Sequence, residues 1–325
     1  MPNRLEWINT LGKESGLSIA SAVREGLSAS RKWLPPWLLY DAFGCECFEA
    51  ITRLPEYYLT RSETEILSRH TGDIVAAAGE NICLVEFGGG SGKKTRLLIE
   101  ETLTRQNELH YVSIDIAAFD LLDASQKLLD DYPSLRITAI AGEYNDSITR
   151  IPSHPGARLF LFMGSNIGNL ENSQAISFLS SVRRIAETQD RLLVGFDMVK
   201  EKAALEAAYN DSQGITAAFN KNLLVRINRE LEGDFEIEKF SHIAIYNEKQ
   251  HRIEMRLVSE CEQTARIKKL NMSVPFEKGE YIHTENSYKY TCESFRAIAE
   301  SSGFEMHKIW FDEREWFAVA MLEPK

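Results

Sequence analysis

The stretch that decides the fold is ICLVEFGGGSGKKTRLLIEETLTR, residues 82–105. An apolar run ends in Glu86-Phe87, the glycines Gly88, Gly89, Gly90 and Gly92 follow, and a helical pattern starts near Lys93. Glycine takes φ > 0 without Cβ strain, so this is a strand, a tight turn and a helix. Downstream the same rhythm repeats. HYVSIDI (110–116) precedes a helix over 117–130, and LRITAIAG (135–142) follows. RLFLFMG (158–164) precedes a helix over 172–187, and RLLVGFD (191–197) closes the series. Five near-continuous apolar runs alternating with helices predict a parallel sheet covered on both faces, a doubly wound α/β fold. Ligands bind such sheets at the carboxyl ends of the strands.

Outward from this core, two further regions read differently. At the C-terminus a helix (291–302) leads to FEMHKIWFD (304–312) and EWFAVAMLE (315–323), an antiparallel hairpin turning near Glu313-Arg314. Upstream, helices are expected over 15–30, ended by Pro35-Pro36, and over Glu63–Ala78, closed by Gly79. Residues 198–287 read as an insertion: one helix (201–229), then strands including a hairpin around Glu248-Lys249-Gln250. The expected organisation is a sheet domain over 62–197 and 288–325, with 1–61 and 198–287 forming a second, α+β domain that binds substrate.

Composition narrows the function. The chain has 325 residues, 44% apolar and 26% charged, which suits about two globular domains. Its net charge of −11 argues against nucleic acid, whose phosphates demand a basic face. No run approaches the ~20 apolar residues of a membrane span, and the start lacks a secretory apolar run. Five scattered cysteines form neither a disulfide framework nor a zinc spacing. The expectation is a cytoplasmic, metal-free monomer acting on a small molecule. The glycine loop fits neither a P-loop, since Phe87 and Lys94 fall where Gly and Ser/Thr are required, nor G-x-G-x-x-G, since Lys93 replaces the last glycine. Asp115, at the end of the second strand, can accept from ribose hydroxyls of either a methyl donor or NAD. An NAD-linked oxidoreductase and a silent binding module therefore stand as alternatives on the residues alone.

The acidic-x-G-x-G-x-G pattern (Glu86, Gly88, Gly90, Gly92) resembles motif I of S-adenosylmethionine-dependent methyltransferases. LPEYYLTRSETEIL (54–67), FMGSNIGNL (162–170), the FDMVK…INREL stretch (196–231), RIEMRL (252–257) and TENSYKY (284–290) together resemble the histidine Nα-methyltransferases of ergothioneine biosynthesis, from about Trp33 to the C-terminus. That resemblance implies a class I methyltransferase sheet, Rossmann-like, completed by the C-terminal hairpin. S-adenosylmethionine would be the co-substrate. Histidine would become hercynine, its Nα-trimethyl betaine, in three transfers; the alternative is another amino acid or indole amine, such as tryptophan. The resemblance further implies Tyr57 and Asn169 at the substrate carboxylate, with Tyr209 alongside. It puts Glu285 and Ser287 at the imidazole, Met255 against the ring, Tyr40 near the amine, and Gly164 lining by backbone. Tyr40 or water would accept the proton, and Tyr40, Tyr57 and Tyr209 could surround a growing trimethylammonium. For the donor it implies Gly88, Gly90, Lys94, Asp115, Glu143 and Tyr144. Asn166 departs from the family pattern, where threonine is common.

Overall fold

The structure, a computed structural model, describes residues 4–10, 18–90 and 92–325. Residues 15–17 of the expected first helix, and Ser91 of the glycine loop, lie outside them. In chain order the elements begin with β1 (Leu5–Asn9), α1 (Ile19–Ser28), α2 (Ala42–Ile51) and α3 (Leu59–Ala78). The alternating series follows: β2 (Cys83–Phe87), α4 (Thr95–Arg105), β3 (Leu109–Asp115), α5 (Ala118–Asp131) and β4 (Leu135–Ala141). It continues through a single turn, α6 (Tyr144–Ser147), to β5 (Arg158–Phe162), α7 (Asn172–Ile185) and β6 (Arg191–Asp197). Next come α8 (Lys202–Tyr209), α9 (Ile215–Leu231), β7 (Phe240–Asn247), β8 (Arg252–Ser259), β9 (Gln263–Ile267), β10 (Met272–Phe276) and β11 (Tyr281–Tyr288). The chain ends with α10 (Cys292–Ser301), β12 (Phe304–Phe311) and β13 (Phe317–Pro324).

Two compact units result. The first comprises Met1–Glu14, Leu59–Val199 and Lys289–Lys325. Its eight-stranded sheet has the order β1-β4-β3-β2-β5-β6-β13-β12. β1 to β6 are mutually parallel, whereas β13 runs antiparallel to β6 and pairs with β12 as the C-terminal hairpin. Every residue of β2 and β5 is buried, as strands covered on both faces require. Chain order reverses between β2 and β5, so the loops leaving those strands open at the topological switch point, where α/β sheets take ligands.

Here the 1–61 boundary of the expected substrate-binding domain is corrected for residues 5–9. They form β1, which pairs in parallel with β4 from Leu5–Ile137 to Asn9–Ala141. Edge pairing is carried by backbone bonds, so a short, half-polar strand leaves little trace in side-chain pattern.

The second unit comprises Ser15–Tyr58 and Lys200–Tyr288. It holds an antiparallel sheet in the order β11-β8-β7 and the hairpin β9-β10. The expected hairpin around residues 248–250 is the β7–β8 turn. The single helix expected over 201–229 is instead two. Gly214 adopts φ 73°, and Asp211 caps α9, accepting from the amides of Ile215 (3.0 Å) and Thr216 (2.7 Å). Asx capping of a new helix wins over continuation of the old one. The buried stripe of α9, Phe219, Leu223, Leu224, Ile227 and Leu231, supplies much of this unit's core.

All five cysteines carry free thiols, and among the described residues no helix is long and apolar enough to cross a membrane.

Candidate active site

In the first unit the expected donor-binding residues gather at the carboxyl ends of β2, β3 and β4. Gly88, Gly90 and Gly92 all have positive φ, at 78°, 49° and 66°. A Cβ on Gly88 would lie 2.6 Å from Asn166 Nδ2 and 2.7 Å from the Tyr144 hydroxyl, so no side chain fits there. The Asn166 departure is thus packed directly against the loop. Asp115 steadies the turn by accepting from the Gly90 amide at 3.0 Å and from the Ala117 amide at 2.9 Å. Burial raises its pKa, and those amides oppose the rise. Beneath the loop, buried Glu86 accepts from Thr95 Oγ1 at 2.8 and 2.7 Å and from the Tyr111 hydroxyl. Glu86 therefore braces the loop from below, and burial pushes its pKa up. Glu143 precedes α6 and is half-buried, with its pKa raised by desolvation and by Asp146. Tyr144 packs on Phe87, Phe162 and Phe178, giving an aromatic floor one residue beyond it.

Lys94 forms an ion pair with Glu63 of α3. Glu63, fully buried, also accepts from the Gly164 amide at 2.8 and 3.0 Å. Gly195 in β6 leaves room for it, since a Cβ there would lie 2.0 Å from Glu63 Oε1. This node joins the glycine loop, α3 and the MGSNIGNL segment, and the residue readings did not single out Glu63. A signal for it exists: Leu59, Ser62, Glu63, Ile66 and Leu67 form one buried stripe, and a charge inside a core stripe demands a partner. In the segment after β5, Gly164 (φ 76°) and Ser165 (φ 58°) turn the chain, and the Ser165 hydroxyl accepts from the Asp197 amide at 3.1 Å. Half-buried Asn169 ends the following short turn, which the Tyr290 hydroxyl holds at the Ile167 carbonyl, 3.2 Å away.

In the second unit the expected substrate residues form one continuous set. The rings of Tyr57 and Tyr209 meet edge-on at 6.0 Å, and Phe48 links Tyr57 (6.4 Å) to half-buried Tyr40 (5.8 Å). The Tyr209 hydroxyl lies 2.8 Å from Ser287 Oγ, both groups buried. Glu285 and Ser287 alternate along β11 and so share a face, and Met255 of β8 stands directly opposite Glu285. A register shift between His283 and Glu285 sets this phase, because a bulge re-aims the residues that follow it. His242 fixes the end of α8. Its Nε2 donates to the Tyr209 carbonyl at 2.9 Å, while Nδ1 accepts from Asn220 at 2.9 Å. Burial lowers the His242 pKa, which keeps that tautomer neutral. Lys289, of the TENSYKY segment, lies in the first unit, where it pairs with Asp197 at 2.8 Å, both wholly buried.

Residues 19–324 match the family described as histidine-specific methyltransferase, SAM-dependent. A histidine N-alpha-methyltransferase of Mycolicibacterium smegmatis is 39% identical over 299 residues, covering 92% of each chain. That of Mycobacterium tuberculosis is 38% identical over 319 residues, covering 98% of this chain and 99% of its own. The ergothioneine biosynthesis protein 1 of Schizosaccharomyces pombe is 29% identical, matching 86% of this chain and 37% of that longer protein. The chain belongs to the S-adenosylmethionine-dependent, histidine-specific methyltransferase family.

Proposed function

We propose that the protein converts L-histidine to hercynine by three successive Nα-methylations, an entry step to ergothioneine. The observation that carries this reading is the face of β11. There an acidic and a hydroxyl side chain, Glu285 and Ser287, stand two residues apart beside Tyr209 and Met255. An imidazole offers one N–H and one lone pair. Glu285 would accept the former and the Tyr209–Ser287 pair would serve the latter. Neutral donors, Tyr57 and Asn169, would hold the carboxylate, with Tyr209 beside them, and Gly164 would line the site by backbone. The glycine turn, Asp115, Glu143 and Tyr144 would hold S-adenosylmethionine, and Lys94 would keep its Glu63 partner nearby.

The chemistry asks little of covalent catalysis. The neutral α-amine attacks the sulfonium methyl carbon in line; the C–N bond forms as the C–S bond breaks, and its electron pair stays on sulfur. Tyr40 or water takes the amine proton before each attack. Alignment of the two reactants supplies most of the acceleration, up to about 7–11 kcal/mol in well-oriented cases. Tyrosine faces at positions 40, 57 and 209 stabilise the accumulating quaternary ammonium. Five free thiols suit a reducing, cytoplasmic compartment.

Mass spectrometry of one reaction containing all twenty amino acids and the methyl donor tests this. The expected outcome is trimethylated histidine alone, with three equivalents of S-adenosylhomocysteine per molecule. Methylated tryptophan in its place, or no histidine product, would overturn the substrate assignment.

A further inference from the structure

At the amino ends of the central strands, opposite the glycine loop, parallel register aligns a polar row. Cys83 pairs with Arg158 of β5, and Leu84 pairs with Tyr111, which brings Cys83 beside His110. His110 pairs in turn with Arg136 of β4. His154, in the segment leading into β5, completes a group. One donor atom from each of Cys83, His110 and His154 lies within 4.8 Å of the others. These residues are 27 and 44 positions apart in the chain, so no sequence motif announces them.

Each imidazole has one nitrogen tied to an acceptor. His110 Nε2 lies 2.9 Å from Thr138 Oγ1, and Thr138 spends its own hydrogen on Glu6 Oε2 at 3.0 Å. Thr138 must therefore accept from His110 Nε2–H, which leaves the lone pair on Nδ1. His154 Nε2 lies 2.8 Å from the Asn81 carbonyl, which can only accept, so its lone pair is also on Nδ1. Asn81 is held at φ 49°, and Gly156 is obligatory beneath it because a Cβ there would lie 2.0 Å from the Asn81 oxygen. Outer acceptors that fix a histidine tautomer are the usual second layer of a metal site. The neighbouring cations do not forbid a metal. Arg158 is neutralised by Asp190, through Nε at 3.0 Å and Nη2 at 2.6 Å, and exposed Arg136 makes only a 3.3 Å contact to His110 Nδ1.

We propose that Cys83, His110 and His154 form a binding site for a borderline-soft divalent cation such as Zn²⁺, separate from the methyl-transfer residues. One sulfur and two imidazole nitrogens, with water as fourth ligand, make a tetrahedral set for zinc. Zinc bonds of about 2.0–2.3 Å require the three side chains to close by small rotations, and the cation replaces Arg136 at Nδ1. Binding displaces the Cys83 thiol proton, which is released to solvent as the metal–sulfur bond forms.

The test uses the full chain after dialysis against a chelator, titrated with Co²⁺ and then Zn²⁺. The expected result is a thiolate-to-cobalt charge-transfer band that saturates at one equivalent and is bleached by Zn²⁺. The band disappears in Cys83→Ser and weakens in His154→Ala, which sits on a half-exposed loop and should fold normally. Thr138→Val keeps the band but lowers affinity by roughly 10–100-fold. Cys261→Ser, in the other unit, changes nothing. Retained S-adenosylmethionine binding shows that each variant is folded. A folded wild-type protein without the band, or a band undiminished in Cys83→Ser or in His154→Ala, overturns the proposal.

Discussion

Glu285 and Ser287 illustrate how much one residue's identity decides. Both are buried on β11, and a carboxylate shut away from water is suited to accept a ligand's N–H. Glu285→Ala should lower kcat/KM for histidine by roughly 10–100-fold, the worth of a hydrogen bond to a charged group. Ser287→Ala, losing a neutral bond, should lower it by roughly 2–10-fold. Steady-state kinetics with histidine and tryptophan side by side would check both; the Glu285 loss should be confined to histidine. The residue scale is also where reading the chain fell short. Glu63 lies inside a quoted motif, yet its bonds to Lys94 and the Gly164 amide depend on a vacant Cβ position at Gly195, over 130 residues away.

Single elements owe their limits to local polar groups. α9 begins where Asp211 caps it, and Asp211→Ala should destabilise the protein by about 1 kcal/mol in urea unfolding. On β8, Glu254 accepts from Arg252 and Arg256, at 2.9 and 2.5 Å, and from Asn247 at 3.0 Å. Burial alone would raise its pKa, but hydrogen bonds from Arg256, Asn247 and Arg252 outweigh it and hold the carboxyl down to about 2. A carboxyl with a depressed folded pKa stabilises the fold above the ordinary range, near 4.5, and loses that contribution as pH falls toward 2. Glu254→Gln should therefore be destabilising at neutral pH, by roughly 1–3 kcal/mol, and the difference from wild type should shrink below pH 4. Thermal melts across pH 2–7 would show the two curves converging on the acid side.

At the scale of the molecule, each unit closes around polar pairs as well as apolar strands. Lys289 and Asp197 are both inaccessible, so removing one partner strands the other's charge in the core. Lys289→Met should destabilise by roughly 3–5 kcal/mol, measured as a shift in denaturant midpoint at unchanged slope. The TENSYKY segment (284–290) thus serves two ends. Glu285 and Ser287 lie in the second unit, whereas Lys289 secures the first, beside the end of β6.

What the sequence determined by itself is the parallel sheet, its C-terminal hairpin, the glycine turn and the family. Runs such as LFLF (159–162) and LLVGF (192–196) are apolar throughout because both faces are covered, and that pattern survives in one dimension. Positive-φ glycines at 88, 90 and 92 likewise announce themselves, since few other residues tolerate the turn. Tertiary structure alone decided the rest. β1 is an edge strand held by backbone pairing, the break at Gly214 is set by capping, and Cys83, His110 and His154 meet only through strand register and the segment entering β5. Backbone hydrogen bonds and cross-strand neighbours carry no sequence period, so only the folded chain brings those residues together.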